Sequence, residues 1–330
     1  MRRICVLLIV GTICAAASGC LVFVNLDLAA GKTAYEEAVL APAKSWWTGA
    51  KIALIDLHGV ISKHYGSSGL LSRGPGPDPV SDMREALARA AGDDNVKAVV
   101  LRIDSPGGYV AWCDTLHREV LRFKQETGKP VVASITNLGA SGGYYVACGA
   151  DRIHAAPGAA VGSIGVVALF LNLQRLADKL GVETQVIKSA DKKDMGGLWR
   201  ALTDDERRVM QSMIDEYYGR FIDIVLAARR GLTRETLLPL ADGRIVTAGQ
   251  AARSGLIDRV AYLDESIAEA RQLAGVDDAA LVTYRRGGEY KHNIYSGAPP
   301  APVTNIFNVD LGEAFGVHEP GFYYIWTPNP

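Results

Sequence analysis

The sequence predicts an α/β protein built on a largely parallel sheet with helical crossovers. Three observations carry this expectation. Apolar strand-like runs alternate with stretches of helical period through most of the chain. The run from Ala98 to Ile103 is apolar almost without alternation, as a strand covered on both faces must be. The composition is that of an ordinary globular protein, 48% hydrophobic and 22% charged over 330 residues, which is enough to bury one sizeable core or two.

At the N-terminus, Arg2 and Arg3 precede an apolar stretch from Ile4 to Val24. It is about as long as the ~20 residues a bilayer-crossing helix needs. Three readings compete for residues 1–24. A retained span would hold the N-terminus in the cytoplasm and place the body outside. A secretory signal would be cut near Ala15-Ala16-Ala17. Finally, Ala17-Ser18-Gly19-Cys20 resembles the lipobox of bacterial lipoproteins, in which Cys20 would be lipidated, although Ala17 departs from the usual leucine. The apolar residues continuing through Val24 favour the span, and all three readings export the body. Residues 25–50 read as a linker or short helical stem, with Trp46 and Trp47 near a membrane interface.

The body follows, over residues 51–275. Ile52 to Leu57 is its first strand, and a Gly/Pro/Ser-rich loop covers Tyr65 to Pro79. Ser81 is an N-cap for a helix carrying Met83, Leu87 and Ala90 on one face, closed by Gly92. After the strand ending at Ile103, a helix spans Ala111 to Lys124 and stops near Gly128. Val131 to Ile135 is the next strand, and a helix starts close to Ser141. Short strands are expected near Ile153 and Val166, a helix over Leu173–Leu180, and a strand over Thr184–Ile187. Thr203-Asp204-Asp205-Glu206 is a capping box. It opens a long helix reaching about Arg230, with Met210, Met213, Ile214, Tyr217, Phe221 and Ile224 along one stripe suited to core or subunit contact. Thr247 caps a further helix that Gly255 ends. No internal repeat is visible. In the tail, 276–330, the aromatic cluster Phe322-Tyr323-Tyr324-Ile325-Trp326 is too apolar for a solvated end. It is expected to dock on folded protein, its own body or a neighbouring subunit.

Several function classes drop out. A net charge of −1 offers no basic field for nucleic acid. The six histidines lack ligand spacing and no Cys-x-x-Cys pair exists, so neither a metal nor another cofactor is expected. Of the five cysteines only Cys113 and Cys148 lie in the body. They read as small buried hydrophobes rather than a disulfide. His117, Asn137 and His154 are weak site candidates, and His154 sits in a short apolar strand as a core histidine would.

The chemistry lies in Gly139-Ala140-Ser141-Gly142-Gly143-Tyr144-Tyr145. A serine hydroxyl is a poor nucleophile until a base takes its proton. Small neighbours let a substrate backbone come close to Ser141, and a helix N-terminus beside it favours developing negative charge. No histidine occurs between His154 and His292 to act as base, but Lys193 stands in Ser189-Ala190-Asp191-Lys192-Lys193-Asp194. Only a neutral amine can accept the proton, a form that burial favours. Lys188 and Lys192 are rivals on spacing alone. Asp104-Ser105-Pro106-Gly107-Gly108 fits a plain turn or an oxyanion loop. In the second case the backbone N–H of Gly108 or Gly107 would join that of Gly142 as donors. Gly162-Ser163-Ile164-Gly165 fits a tight entry into a strand or a cleft wall in which Ser163 bonds Lys193.

These four stretches, taken in order, resemble the signal peptide peptidase A family of membrane-bound bacterial serine peptidases, peptidase family S49, over about Lys51 to Gly275. The resemblance implies a crotonase-like (ClpP-like) superhelix in its short, single-copy form. It implies Ser141 as nucleophile and the lysine of the Lys-Asp pair, Lys193, as general base, with Asp194 an orienting or structural partner. It further implies remnant signal peptides and other membrane-derived peptides as substrates. A ring-shaped homo-oligomer is expected, held at the bacterial cell membrane with its catalytic domain on the extracytoplasmic side. Two other readings share the fold. A crotonase-type acyl-CoA enzyme would use paired backbone donors without Ser141 or Lys193, and an inactive scaffold would use neither.

Overall fold

Nine strands form one twisted sheet among the residues described by the computed structural model, which are 35–62, 79–286, 293–295 and 321–326. In chain order the first elements are β1 (Tyr35–Ala41), β2 (Lys51–His58), α1 (Pro79–Gly92), β3 (Val96–Ser105), β4 (Gly107–Tyr109), α2 (Val110–Thr127) and β5 (Val131–Ala140). The middle of the chain holds α3 (Gly142–Ala147), β6 (Arg152–Ala155), β7 (Ala160–Gly162), β8 (Val167–Leu169), α4 (Gln174–Leu180) and α5 (Asp204–Ala228). The rest comprises α6 (Arg234–Leu237), β9 (Ile245–Thr247), α7 (Ala248–Arg253), β10 (Arg259–Val260), α8 (Leu263–Leu273), β11 (Ala280–Arg286) and β12 (Gly321–Ile325). The main sheet runs β1-β11-β2-β3-β5-β6-β10, with β7 on β5 and β9 on β7. Pairing is parallel throughout except β1 on β11 and β9 on β7. The expected α/β class with a largely parallel sheet is therefore observed.

Both faces of the sheet are covered, which explains the near-continuous apolar strands. Ala53, Ile55, Leu57, Val99, Leu101 and Ile103 face α1 and α2, meeting Met83, Leu87, Leu116 and Val120. The alternate residues Ile52, Leu54, Ala98, Val100 and Val132 pack under Leu263, Ile267 and Ala270 of α8. The caps behave as their chemistry dictates: Thr203 and Thr247 both form capping boxes, and Gly128 closes α2 in the left-handed region.

Four expectations change. Residues 35–41 are not a stem but strand β1, because β11 offers an antiparallel edge to pair with. The first helix begins at Pro79 rather than after Ser81, since a first-turn proline forfeits no intrahelical hydrogen bond. Residues 184–187 form no strand: Val186 and Ile187 are exposed, and no strand among the described residues pairs with them. The body also extends past 275, through β11 and β12. Cys113 and Cys148 are free and buried, as expected. The N-terminal readings for residues 1–24, Cys20 included, fall outside the described residues. Among the described residues no helix is long and apolar enough to cross a membrane. Trp46 and Trp47 are exposed and meet edge to face.

Candidate active site

Parallel neighbours in a sheet bring the loops at their C-terminal ends to the same edge. β3 and β5 are such neighbours, paired as far as Ser105 opposite Gly139 with a register shift after Ile103. The turn that leaves β3 at Pro106 and the turn that leaves β5 at Ser141 therefore meet. Ser141 is held at φ 49° and ψ −115°, outside the regions open to most side chains, at the junction of β5 and α3. Its N–H donates to the Gly162 carbonyl at 2.7 Å, tying the turn to β7. The residue is only 1% exposed, and its Oγ has no hydrogen-bond partner among the described residues. A buried hydroxyl without a partner is costly. A position that combines this cost with backbone strain is a candidate functional centre.

The two turns press together through glycine. Gly107 sits at φ 100°, and a Cβ there would fall 1.9 Å from the Tyr324 carbonyl oxygen and 2.6 Å from the Gly142 nitrogen. A Cβ on Gly142 would fall 2.3 Å from the Cys113 sulfur and 3.0 Å from that same oxygen. Gly107 and Gly108 were open alternatives in the sequence, and a hydroxyl separates them. Ser105 Oγ donates to the Gly59 carbonyl at 2.7 Å and accepts from the Gly107 N–H at 3.1 Å, so that donor is already engaged. The N–H of Gly108 faces the other way, toward β12. Burial pushes the Cys113 thiol well up, with the Gly108 N–H acting in the opposite sense.

No hydrogen bond joins the lysine segment to the Ser141 hydroxyl among the described residues. Lys193 is exposed and makes no hydrogen bond to Ser141. The expected bond from Ser163 to Lys193 is also not formed. Ser163 is instead buried at φ 51°, its N–H donating to the Arg244 carbonyl at 2.7 Å. Of the three rival lysines, Lys188 pairs with Asp194 at 2.9 Å and Lys192 with Asp205 at 2.5 Å. Lys193 has no ion pair among the described residues. Asp194 does not pair with it; Arg200 and Lys188 grip that carboxylate and hold it below its usual range. Arg200 also binds Glu206, whose carboxyl is lowered to about 2 chiefly by that contact. The Lys-Asp pair seen in sequence is thus a clamp built on Asp194, with Lys193 left outward.

The weak candidates find ordinary roles. His154 is fully buried, its Nδ1 3.0 Å from Ser266 Oγ and its Nε2 3.1 Å from Glu269. Asn137 donates to Asp104 at 3.0 Å. Burial lowers His117 to about 4, and its ring lies edge-on to Tyr145. No group of His, Cys, Asp and Glu suited to a metal occurs among the described residues. The feature that sequence reasoning did not place is β12. It docks on its own body, between β4 and β8, beside the two glycines and Ser141.

The model of peptidase family S49 matches residues 123–277. A putative protease of Synechocystis sp. is 39% identical over 200 residues, spanning 60% of this chain and 71% of that protein. A putative signal peptide peptidase of Enterococcus faecium is 32% identical over 235 residues, spanning 71% of this chain and 67% of that protein. The chain therefore belongs to peptidase family S49, a family of serine peptidases. Among solved structures, a mutant ClpP1 from Listeria monocytogenes aligns at TM-score 0.42 and 14% identity, over 65% of this chain and 94% of that one.

Proposed function

We propose that this chain is a membrane-associated serine endopeptidase with a Ser-Lys dyad, in which Ser141 is the nucleophile and Lys193 the general base. The observation that carries the reading is Ser141 itself: a strained, buried, unpartnered hydroxyl beside Gly107, Gly108 and Gly142. In the reaction, Ser141 Oγ attacks the carbonyl carbon of a peptide bond while the neutral amine of Lys193 takes its proton. The oxyanion forms against the N–H groups of Gly108 and Gly142, a kind of contact worth roughly 3–4 kcal/mol of barrier per donor. Lys193 then gives the proton to the departing amine, and water hydrolyses the acyl-enzyme. The substrates are remnant signal peptides and other membrane-derived peptides, cut on the extracytoplasmic side of the membrane. The Enterococcus relative's name is the support for that substrate class.

An exposed Lys193 and a buried Ser141 in one chain are reconciled by the ring-shaped homo-oligomer. The segment carrying Lys193 also displays Leu176, Leu180, Val182, Val186, Ile187 and Trp199, all exposed. A patch of this kind suits contact with another copy, and Lys193 would then serve Ser141 of a neighbouring subunit. An inactive scaffold is the competing reading, favoured by the lack of a hydrogen bond between the two residues in the single chain. Mixing inactive Ser141→Ala and Lys193→Ala proteins tests the arrangement. Subunit exchange should restore peptide cleavage if the dyad forms between copies, whereas no recovery under exchanging conditions would reject it.

A further inference from the structure

A cleft opens beside the Ser141 turn that the reaction proposed above leaves without a role. The Gly162 carbonyl accepts the Ser141 N–H, and the next residue, Ser163, lines an open cleft of about 470 Å³. The same cleft is lined by Val166 and Val167, where the chain enters β8, by Ile214 and Asp215 of α5, and by Asp242 in the turn before β9. The Tyr218 hydroxyl donates to the Ala241 carbonyl at 2.8 Å, which ties α5 to that turn and fixes the width of the space between them. A concave site of this size, walled by apolar residues with a few polar groups, is the usual form of a ligand subsite.

The polar groups of the cleft are of one kind. Its two carboxylates, Asp215 and Asp242, differ in what they already hold. Asp242 has its cation: Arg244 Nε lies 2.7 and 2.8 Å from its two oxygens. Asp215 accepts from the neutral amide of Gln211 at 2.8 Å and has no ion pair among the described residues, so its negative charge stands unbalanced. Ser163 adds a hydroxyl at the inner end. It is 6% exposed and held at φ 51°, and its side chain has no hydrogen-bond partner among the described residues. A buried hydroxyl left unpaired costs free energy that a ligand's polar group recovers. Apolar walls that lead to a free negative charge suit a side chain with a long apolar stem and a cationic head. A neutral side chain would leave Asp215 uncompensated, and an acidic one would be repelled.

Resting on the peptidase reading, we infer that this cleft takes a basic side chain of the peptide substrate, lysine or arginine, and that Asp215 selects it. The stem lies along Val166, Val167 and Ile214, and the cationic head reaches the Asp215 carboxylate. Ser163 directly follows the residue bonded to Ser141, so the selected side chain belongs to a residue close to the bond under attack. Asp215 is exposed, so the preference is electrostatic in a wet setting and weakens as salt is added.

Paired series of Ala/Leu-rich decapeptides test this with the full chain, each peptide carrying one lysine or its uncharged isostere norleucine at successive positions. At one position the unaltered chain should favour lysine by about fivefold in kcat/KM, the upper range for an exposed ion pair. Asp215→Asn should bring that ratio to about one, and Asp215→Lys should favour glutamate there instead. Equal rates for lysine and norleucine at every position, or a lysine preference that survives Asp215→Asn, overturns the inference and leaves the peptidase reading intact. Calorimetric binding of the same peptides to Ser141→Ala protein separates the two claims. Tighter binding of a lysine peptide, lost in Ser141→Ala/Asp215→Asn protein, keeps the cleft assignment even where the unaltered chain cleaves nothing and the peptidase reading falls. Equal binding of the lysine and norleucine peptides overturns the cleft assignment.

Discussion

At the scale of single residues, the site is set by atoms a Cβ cannot displace. Gly107 combines a left-handed φ of 100° with a neighbouring carbonyl 1.9 Å from any added Cβ. Gly107→Ala should therefore lower stability by roughly 2 kcal/mol or more, beyond the ordinary mutational range of about 1 kcal/mol, as urea titration would read. Residue chemistry also sets the acid limit. Burial lowers His117 from 6.5 to about 4, so the fold holds its ring neutral at neutral pH, and burial lowers His154 as well. Each depressed value means that the unfolded chain takes up protons first. The stability from His117 is complete above pH 6.5 and is lost as pH falls toward about 4. His117→Gln protein should lose less melting temperature between pH 7 and pH 4 than the unaltered chain, and an equal loss would reject the assignment. The tight meeting of the Ser141 turn with Gly107 and Gly142 was legible as a candidate site because small residues stand there at fixed local spacing. The choice between Gly107 and Gly108 was not, because it depends on where Ser105 Oγ points.

At the scale of elements, local signals were read well and partners poorly. Thr203, Thr247 and Gly128 announce helix ends through bonds to their near neighbours, so α5, α7 and α2 were found. β1 carries Glu36 and Glu37 and becomes a strand through pairing with β11 far along the chain. The run 184–187 has strand-like residues but no strand pairing with it among the described residues. β12 declared itself by its aromatics, while its place between β4 and β8 had no local signature. The clamp on Asp194 and Glu206 leads to a prediction at this level. Arg200 joins the segment bearing Lys193 to the start of α5. Arg200→Ala should cut peptide cleavage by about tenfold or more through misplacement of Lys193, the proposed base, and should also lower the melting temperature, because Glu206 loses the partner that holds its carboxylate. Thr203→Ala removes the cap alone and should cost about 1 kcal/mol of stability.

At the scale of the whole molecule, the parallel sheet delivers the β3 and β5 turns to one edge, and the tail strand returns to cover them. On the proposed reading, catalysis requires a base beside Ser141, which the lone chain does not provide. The proposed source of that base is a neighbouring subunit. Disrupting the exposed apolar patch, for example by Ile187→Asp, should therefore yield smaller assemblies and lose cleavage together, as sizing and peptide assays on one preparation would read. Full activity from a monomer would contradict that arrangement. The claim on which the rest depends is that Ser141 is the nucleophile. Its most direct test is prolonged fluorophosphonate treatment of the full chain followed by peptide mass mapping. The account predicts one adduct, on Ser141, absent from Ser141→Ala protein; an unmodified Ser141 after exhaustive treatment, or an adduct on another serine, would contradict it.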